Sequence, residues 1–480
     1  MESERFAPRG YEEIDPSRRP SLGVALLPVI ALVGFLGVGS ALLGLDPHVP
    51  LVWSIAFVGL LGRYVLGWSW EHLYDGVARS LRMGLQAILI LFIIYALIST
   101  WISAGTIPSL MYYGLALLSP QVFLPATALL AAVVAFAIGS SWTTMGTLGV
   151  AFVGIGSGLG VPAPVTVGAI LSGAYAGDKQ SPLSDTTNLA AAVTNTDLYE
   201  HIRAMRAGTA LAFGLAVLGY ALLGLGFDGA IPAGRVAGIQ SALVGTYAIT
   251  PLAFLPLAVT FGLALYGVPA LPTLLAGVFA GVGTTVALQG RSFVDAWTVF
   301  MSGTGPETGM DLVNELLASG GLSASAWTVA VVVAALSLGG LLESTGVLAV
   351  LAHRLAAGVE STGGLIAATG VSALATNALT AQQYMSIVVP GMTLRNVYDG
   401  LGLRSRDLSS AIESAGTPTG ALFPWHAGAV FVLGVTGVET LAYAPYYFFG
   451  LLSPLVLFAA AIRGVRPASV ATEDGASTAD

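Results

Sequence analysis

Five ionisable side chains stand beside apolar segments of this 480-residue chain: Asp178, Lys179, Asp185, Glu343 and Glu413. A charge at the centre of a bilayer costs several kcal/mol, from ~3 to above ~10. Such groups are therefore expected to face a cavity or a partner. The densest cluster is GDKQSPLSDTTNLAA, residues 177–191. Pro182 removes a backbone donor and pushes Ser181 away from helix. The helix that begins near 164 should stop near Gly177, and a second should start near Ser184 or Asp185, both good N-caps. Helices broken in this way at midplane expose carbonyls to cations and N–H groups to anions. Asp185, Thr186, Thr187 and Asn188 add side-chain oxygens, the set expected to hold Na⁺ by analogy with other hard cations. A carboxylate here can hold either a proton or Na⁺, and competition for it couples their exchange without covalent chemistry. Asp178 with Lys179 reads as a proton-linked pair, or as a structural ion pair that stabilises the break.

A second polar group carries the same logic. Thr376, Asn377 and Thr380, with Glu413, Ser414, Thr417 and Thr419, read as the polar hairpin of a second half. Ser140, Ser141, Thr143 and Thr144 read as its counterpart in the first. Ordinary interhelical hydrogen bonding is the other role open to these hydroxyls and amides. Glu343, in GGLLESTG, either completes the site or is a helix-end glutamate reaching the interface. His426, alone in PWHAG, is expected to pack rather than to ligate.

Catalytic signatures are absent. There is no HExxH, no GxxxxGK[ST] and no GxGxxG after a strand. The five histidines, at 48, 72, 201, 353 and 426, form no cluster in sequence, and with no cysteine a thiolate site is excluded. The expectation is a non-enzyme that needs no cofactor.

These residues must be positioned by membrane helices. The chain is 55% apolar and 9% charged, with a mean hydropathy of +0.82, against about 25% charged in a soluble domain. A water-soluble enzyme and a disordered chain are excluded, and a net charge of −8 without a basic stripe excludes a nucleic-acid binder. At roughly 20 residues per span, the apolar content suffices for about 10–13 transmembrane helices. The expected fold is an all-α polytopic membrane protein with two inverted repeats and re-entrant or broken-helix hairpins. Residues 1–20 read as a polar tail and 21–230 as the first half. A linking loop with helices follows at 231–290, an extramembrane connector at 291–325, the second half at 326–462 and an acidic tail at 463–480. Segment 71–83 reads as an amphipathic interfacial helix.

Arg18 and Arg19 precede the first span, and Arg63, Arg79 and Arg82 lie near or after the second. The loop between them has no Lys or Arg, so both termini are expected in the cytoplasm. Tail acids (Glu2, Glu4, Glu12, Glu13, Asp15, Glu473, Asp474 and Asp480) and a single lysine suit a halophile, or equally a GC-rich genome.

The repeat is visible as three weak matches in the same order. Residues 97–115 align with 337–355, 136–147 with 372–383, and 172–187 with 409–420. The offset drifts from 240–241 (Ser103 over Ser344) to about 236 and about 233. Short interrupted segments in corresponding halves are the best sequence pointer to a transporter site.

At these motifs the chain resembles the NhaC-type sodium/proton antiporter family. SGAYAGDKQSPLSDTTNLAA (172–191) carries most of the likeness. GSSWTTMGTLGVAFVGIG (139–156), GGLLESTG (339–346), TNALTAQQYMSIVVPG (376–391), SAGTPTGALFPWHAG (414–428) and YAPYYFFGLLSP (443–454) support it. The resemblance implies a secondary transporter of a prokaryotic plasma membrane that exchanges Na⁺ for H⁺, with paired hairpins and elevator-like motion. It also implies kinship with exchangers of malate and lactate, or of amino acids such as arginine and ornithine. The expected partners are lipid, Na⁺ and H⁺, with a small organic anion or amino acid in the alternative; no nucleic acid is expected, and a homodimer is compatible. SAGTPTG and the histidine of PWHAG depart from the family pattern where an organic solute would be recognised.

Overall fold

A computed structural model describes residues 10–227, 234–357, 359 and 361–463. The tail acids Glu2, Glu4, Glu473, Asp474 and Asp480, and the boundary placed between 230 and 231, lie outside the described residues. Within them the regular elements are helices, apart from one antiparallel bridge between Thr304 and Ser319. In hydrocarbon every backbone polar group must be satisfied within the segment, which a helix does.

An N-terminal pair, α1 (Leu22–Leu36) and α2 (His48–Leu60), is followed by the amphipathic α3 (Trp70–Met83). The first half comprises α4 (Leu85–Ser103), α5 (Thr106–Leu117), α6 (Pro120–Ile138), α7 (Ser141–Gly158), α8 (Ala163–Asp178), α9 (Asp185–Thr194) and α10 (Leu198–Leu225). Between the halves lie α11 (Arg235–Thr246), α12 (Leu255–Leu265), α13 (Ala270–Gln289), α14 (Phe293–Ser302) and α15 (Asp311–Leu316). The second half comprises α16 (Gly321–Ser344), α17 (Val347–Ala356), α18 (Thr362–Thr380), α19 (Gln383–Gly400) and α20 (Ser405–Ala415). It ends with a 3-10 turn Thr417–Leu422, then α21 (Ala427–Thr436), α22 (Thr440–Tyr443) and α23 (Phe448–Ile462). Among the described residues seven helices are long and apolar enough to cross a membrane alone, and up to ten spans result if three bent pairs each count once. That reaches the lower end of the expected number.

The repeat is written in the backbone more clearly than in the side chains. Ser119 caps α6 and Ser361 caps α18, each helix running 19 residues. Gly139 (φ 73°) and Ala381 (φ 53°) make the next turns in the left-handed region. Ser140 and Gln382 then cap two 18-residue helices, α7 and α19. Ser184 and His426 cap the ten-residue α9 and α21, which end on left-handed Asn195 and Gly437. All these pairs stand 242 residues apart.

The second sequence match is therefore displaced by six residues. Gly139-Ser140-Ser141 corresponds to Ala381-Gln382-Gln383, because an alanine makes the turn that glycine marks in the first half. The offset falls to 237 only at α20, which has 11 residues against 16 in α8. The longer break that follows α20 restores it.

The hairpins enter from opposite faces. One face is marked by α3 and the C-terminal end of α16, where Arg79 meets Glu343. The other is marked by the connector, where Ser99 bonds Ser319 at 2.6 Å. The far end of α7 (Val150, Val153) shares a cavity wall with Gly434–Gly437 at the end of α21 and with the connector. In the other direction α9 packs on α19 and α20. The connector is folded: α15 packs on α7, and Val313 and Leu317 are fully buried in the main apolar core. Helix α16 begins at Gly321, ahead of the expected boundary at 326.

A pair of substitutions tests the equivalence of the two turns. At Gly139 an added Cβ would lie 2.6 Å from the Leu183 carbonyl carbon. Gly139→Ala is therefore expected to cost about 2 kcal/mol or more. Ala381→Gly, which relieves a left-handed alanine, is expected to stay within about 1 kcal/mol of wild type. Melting temperatures in detergent measure both; equal losses would contradict the assignment.

Candidate functional site

The turn of the first hairpin delivers Ser141 to the end of α8. Asp178 is the last residue of α8 and is 2% exposed. Its Oδ2 accepts from the Ser141 backbone N–H at 3.0 Å and from the Ser141 hydroxyl at 2.7 Å. The positive end of α7 thus faces this carboxylate. The other oxygen, Oδ1, is buried and accepts no close hydrogen bond, with the Ser184 hydroxyl beside the carboxylate. Ser140 caps α7 by accepting from Thr143 N–H, and its carbonyl accepts from the Thr144 hydroxyl. The Thr143 hydroxyl is buried without a partner.

Pro182 breaks the chain where the sequence requires, but α8 runs one residue past Gly177 before it stops. The Ser184 hydroxyl caps α9 through Thr187 N–H at 3.4 Å. The four residues expected to surround one Na⁺ do not converge. A helix turns about 100° per residue, so consecutive side chains leave in different directions. Asp185 and Thr186 line a cleft. The Thr187 hydroxyl turns back to the Lys179 carbonyl at 3.5 Å. Asn188 closes the loop, donating to the carbonyls of Pro182 (2.9 Å) and Ser184 (2.7 Å).

Lys179 and Asp178 also part company. Lys179 caps α8 and is 1% exposed, and its ammonium crosses to the second half, donating to Ser414 Oγ at 3.0 Å and Ser453 Oγ at 3.4 Å. Glu413 lies in the same region, fully buried, and its Oε1 accepts from the Thr186 hydroxyl at 3.2 Å. In the second hairpin Asn377 donates to the Gly416 carbonyl (2.7 Å) and Thr419 Oγ1 (3.2 Å). Thr419 donates to the Ala415 carbonyl at 2.6 Å, and Thr380 to the carbonyl of Thr376 at 2.8 Å. The Thr417 hydroxyl is buried beside the Glu413 carboxylate.

Glu343 is drawn elsewhere. It pairs with Arg79 of α3 at 3.1 Å, both buried, where the backbones of Gly76 and Gly340 cross so closely that a Cβ on Gly76 would lie 2.7 Å from the Gly340 carbonyl oxygen. His72 contacts the Ser344 carbonyl at 3.0 Å. A buried arginine accounts for the buried acid, and sequence spacing gave no hint of a partner 264 residues away.

The cleft measures about 220 Å³ and gathers the first hairpin turn, both ends of the first break, and the start of α19. Its charged lining residues are Asp178 and Asp185, with no cation among the described ones. Sequence reasoning passed over Gln86, Trp142, Gln382, Gln383 and Tyr384, which also line it. The signal was present: Gln382 and Gln383 are the equivalents of Ser140 and Ser141 once the repeat is set at 242. Tyr384 donates to Asp185 Oδ2 at 2.5 Å, a bar across the cleft from one half to the other. The α4 start (Gln86) and the turn between α12 and α13 form the rest of the wall, so the cleft lies toward the α3 face.

Removing one member of a buried ion pair typically costs about 3–5 kcal/mol. Glu343→Ala is expected to lower stability by that order. Arg79→Met with Glu343→Leu should recover most of it and keep solute exchange. Melting temperature and exchange rate of the two variants check this; a stable double variant dead in transport would return Glu343 to the site.

A model of the Na⁺/H⁺ antiporter family matches residues 19–178 and 173–465. An arginine/ornithine antiporter of Halobacterium salinarum, ArcD, is 52% identical over 99% of both chains. The Na⁺/H⁺ antiporter NhaC of Alkalihalophilus pseudofirmus is 33% identical over 92% of this chain and 95% of its own. A malate-2H⁺/Na⁺-lactate antiporter of Bacillus subtilis is 34% identical over 88% and 89%.

Proposed function

The chain belongs to the Na⁺/H⁺ antiporter family, and on that premise we propose that it exchanges small cationic solutes, with basic amino acids of the arginine and ornithine type as its cargo. The observation that carries this reading is the cleft. Its two carboxylates face no described cation, and its side-chain amides and aromatic rings give it more room and more donors than a bare ion needs. A guanidinium or ammonium takes the free oxygen of Asp178 and competes with Tyr384 for Asp185. The amides of Gln86, Gln382 and Gln383 meet the solute's α-carboxylate. A dicarboxylate such as malate fits an acidic lining poorly. The 52% identity to an arginine/ornithine antiporter over both full lengths supports the same choice.

Exchange follows from electrostatics. Bare carboxylates carried through a low-dielectric barrier cost several kcal/mol, so the empty carrier is held back and the loaded one reorients. The arginines that flank the first two spans support a cytoplasmic α3 face, and with it a cleft that opens to the cytoplasm. A second reading, Na⁺/H⁺ exchange, draws on the same cleft-lining carboxylate of Asp178, which suits a proton or Na⁺ equally. The family model and the NhaC relative favour it.

Counterflow separates the two. Proteoliposomes loaded with ornithine are expected to take up labelled arginine at least about tenfold above protein-free vesicles, and Asp178→Asn should fall to background. If arginine stays out while a Na⁺ pulse collapses a preset pH gradient, the amino-acid reading fails and the ion reading stands.

A further inference from the structure

The two helix breaks hold equivalent places in the repeat but are furnished differently. At the first, α8 ends on Asp178 and the next helix is capped by Ser184, a small side chain whose hydroxyl lies beside the Asp178 carboxylate and leaves it open to the cleft. At the second, α20 ends on Ala415 and the cap is His426. The imidazole fills this break. Its Nδ1 accepts from Gly428 N–H at 2.9 Å, which leaves the proton on Nε2 to donate to Asn377 Oδ1 at 2.7 Å. Asn377 in turn holds the Gly416 carbonyl at the open end of α20. The ring is fully buried, and a Cβ on Gly420 would reach it at 2.5 Å.

Charge is distributed with the same asymmetry. The carboxylate beside the second break is Glu413, fully buried. An uncompensated charge there would be strongly destabilising. The chain brings its own cation: Lys179, from the C-cap of α8, places its ammonium at Ser414 and Ser453, where it interacts electrostatically with Glu413. At the first break no described side chain does this for Asp178.

We infer that Lys179 and His426 close the second break to alkali cations, so that each chain offers one exchangeable cation position, at Asp178, where its repeat provides the backbone for two. Lys179 supplies the charge that a second imported ion would supply, and His426 occupies the space. Both are specificity-determining residues that act by pre-empting a ligand. The inference rests on the reading of Asp178 as the cation position, and it sets the cation count of the transport cycle.

The test is equilibrium binding of radioactive Na⁺ to the purified full chain in choline chloride. Lys179→Met with His426→Ser is expected to bind one more Na⁺ per chain than wild type, and the added ion should survive Asp178→Asn. An unchanged count overturns the inference, as does a wild type that already holds an ion insensitive to Asp178→Asn at the second break. Failure of the Asp178 reading would show separately, as undiminished arginine counterflow in Asp178→Asn. Lys179→Met strips Glu413 of its counter-charge, so its melting temperature should fall in choline chloride and rise steeply with Na⁺ by mass action. If that variant melts at a temperature indifferent to Na⁺, the inference fails whether or not the variant transports.

Discussion

A carboxylate held out of water must be given a positive charge, a proton or strong donors, and the arrangement of this protein follows from how three of its buried acids are supplied. Glu343 receives Arg79 from a neighbouring helix. Glu413 shares its surroundings with Lys179 and takes a hydroxyl from Thr186. Asp178 receives two donors from Ser141 on one oxygen, has the Ser184 hydroxyl nearby, and is given no described cation. Glu413, like Asp178, keeps one buried oxygen without a close hydrogen bond, but of the three only Asp178 lines the cleft and has no described cation beside it. The energetic cost of burial is what separates structural acids from one available to a solute.

The backbone makes this asymmetry possible by being symmetric. Matched helix lengths, cap positions and left-handed turns recur 242 residues apart. Two hairpins therefore meet tip to tip from opposite faces, and each half lends its last short helix to the other. Identical scaffolding with different side chains is how one break becomes a cleft wall while the other becomes a packed junction. Ala381 shows how far the backbone is favoured over local preference: an alanine adopts the left-handed turn that costs roughly 1–2 kcal/mol, because the helices on both sides fix where the chain must reverse.

The sequence disclosed the fold class and the first break, and the physical reasons are plain. Hydropathy reports span length directly, and Pro182 interrupts a helix wherever it stands. The candidate residues of the first half were legible as a set, since cost alone singles out Asp178, Lys179 and Asp185 in an apolar stretch. Their partners were not. Adjacency in sequence suggested Asp178 with Lys179, but successive residues at a helix end diverge, and the lysine crosses to the other half. Four consecutive oxygens at 185–188 looked like one cage, yet they wind around a helix turn. Glu343 could not be placed because Arg79 is distant in the chain. The Gln382–Tyr384 segment was hidden by a repeat register drawn from small polar residues, when the positive-φ turn was the true marker.

The connector between the halves carries a mechanical consequence. Val313 and Leu317 are sunk into the core beneath the far ends of α7 and α21, and Ser319 is tied to Ser99. Withdrawing each apolar side chain into water costs about 1.5–3 kcal/mol. The linker is therefore no slack tether: it works as a detent, which holds the two bundles in register against small thermal excursions and yields only to a displacement large enough to unseat both anchors together.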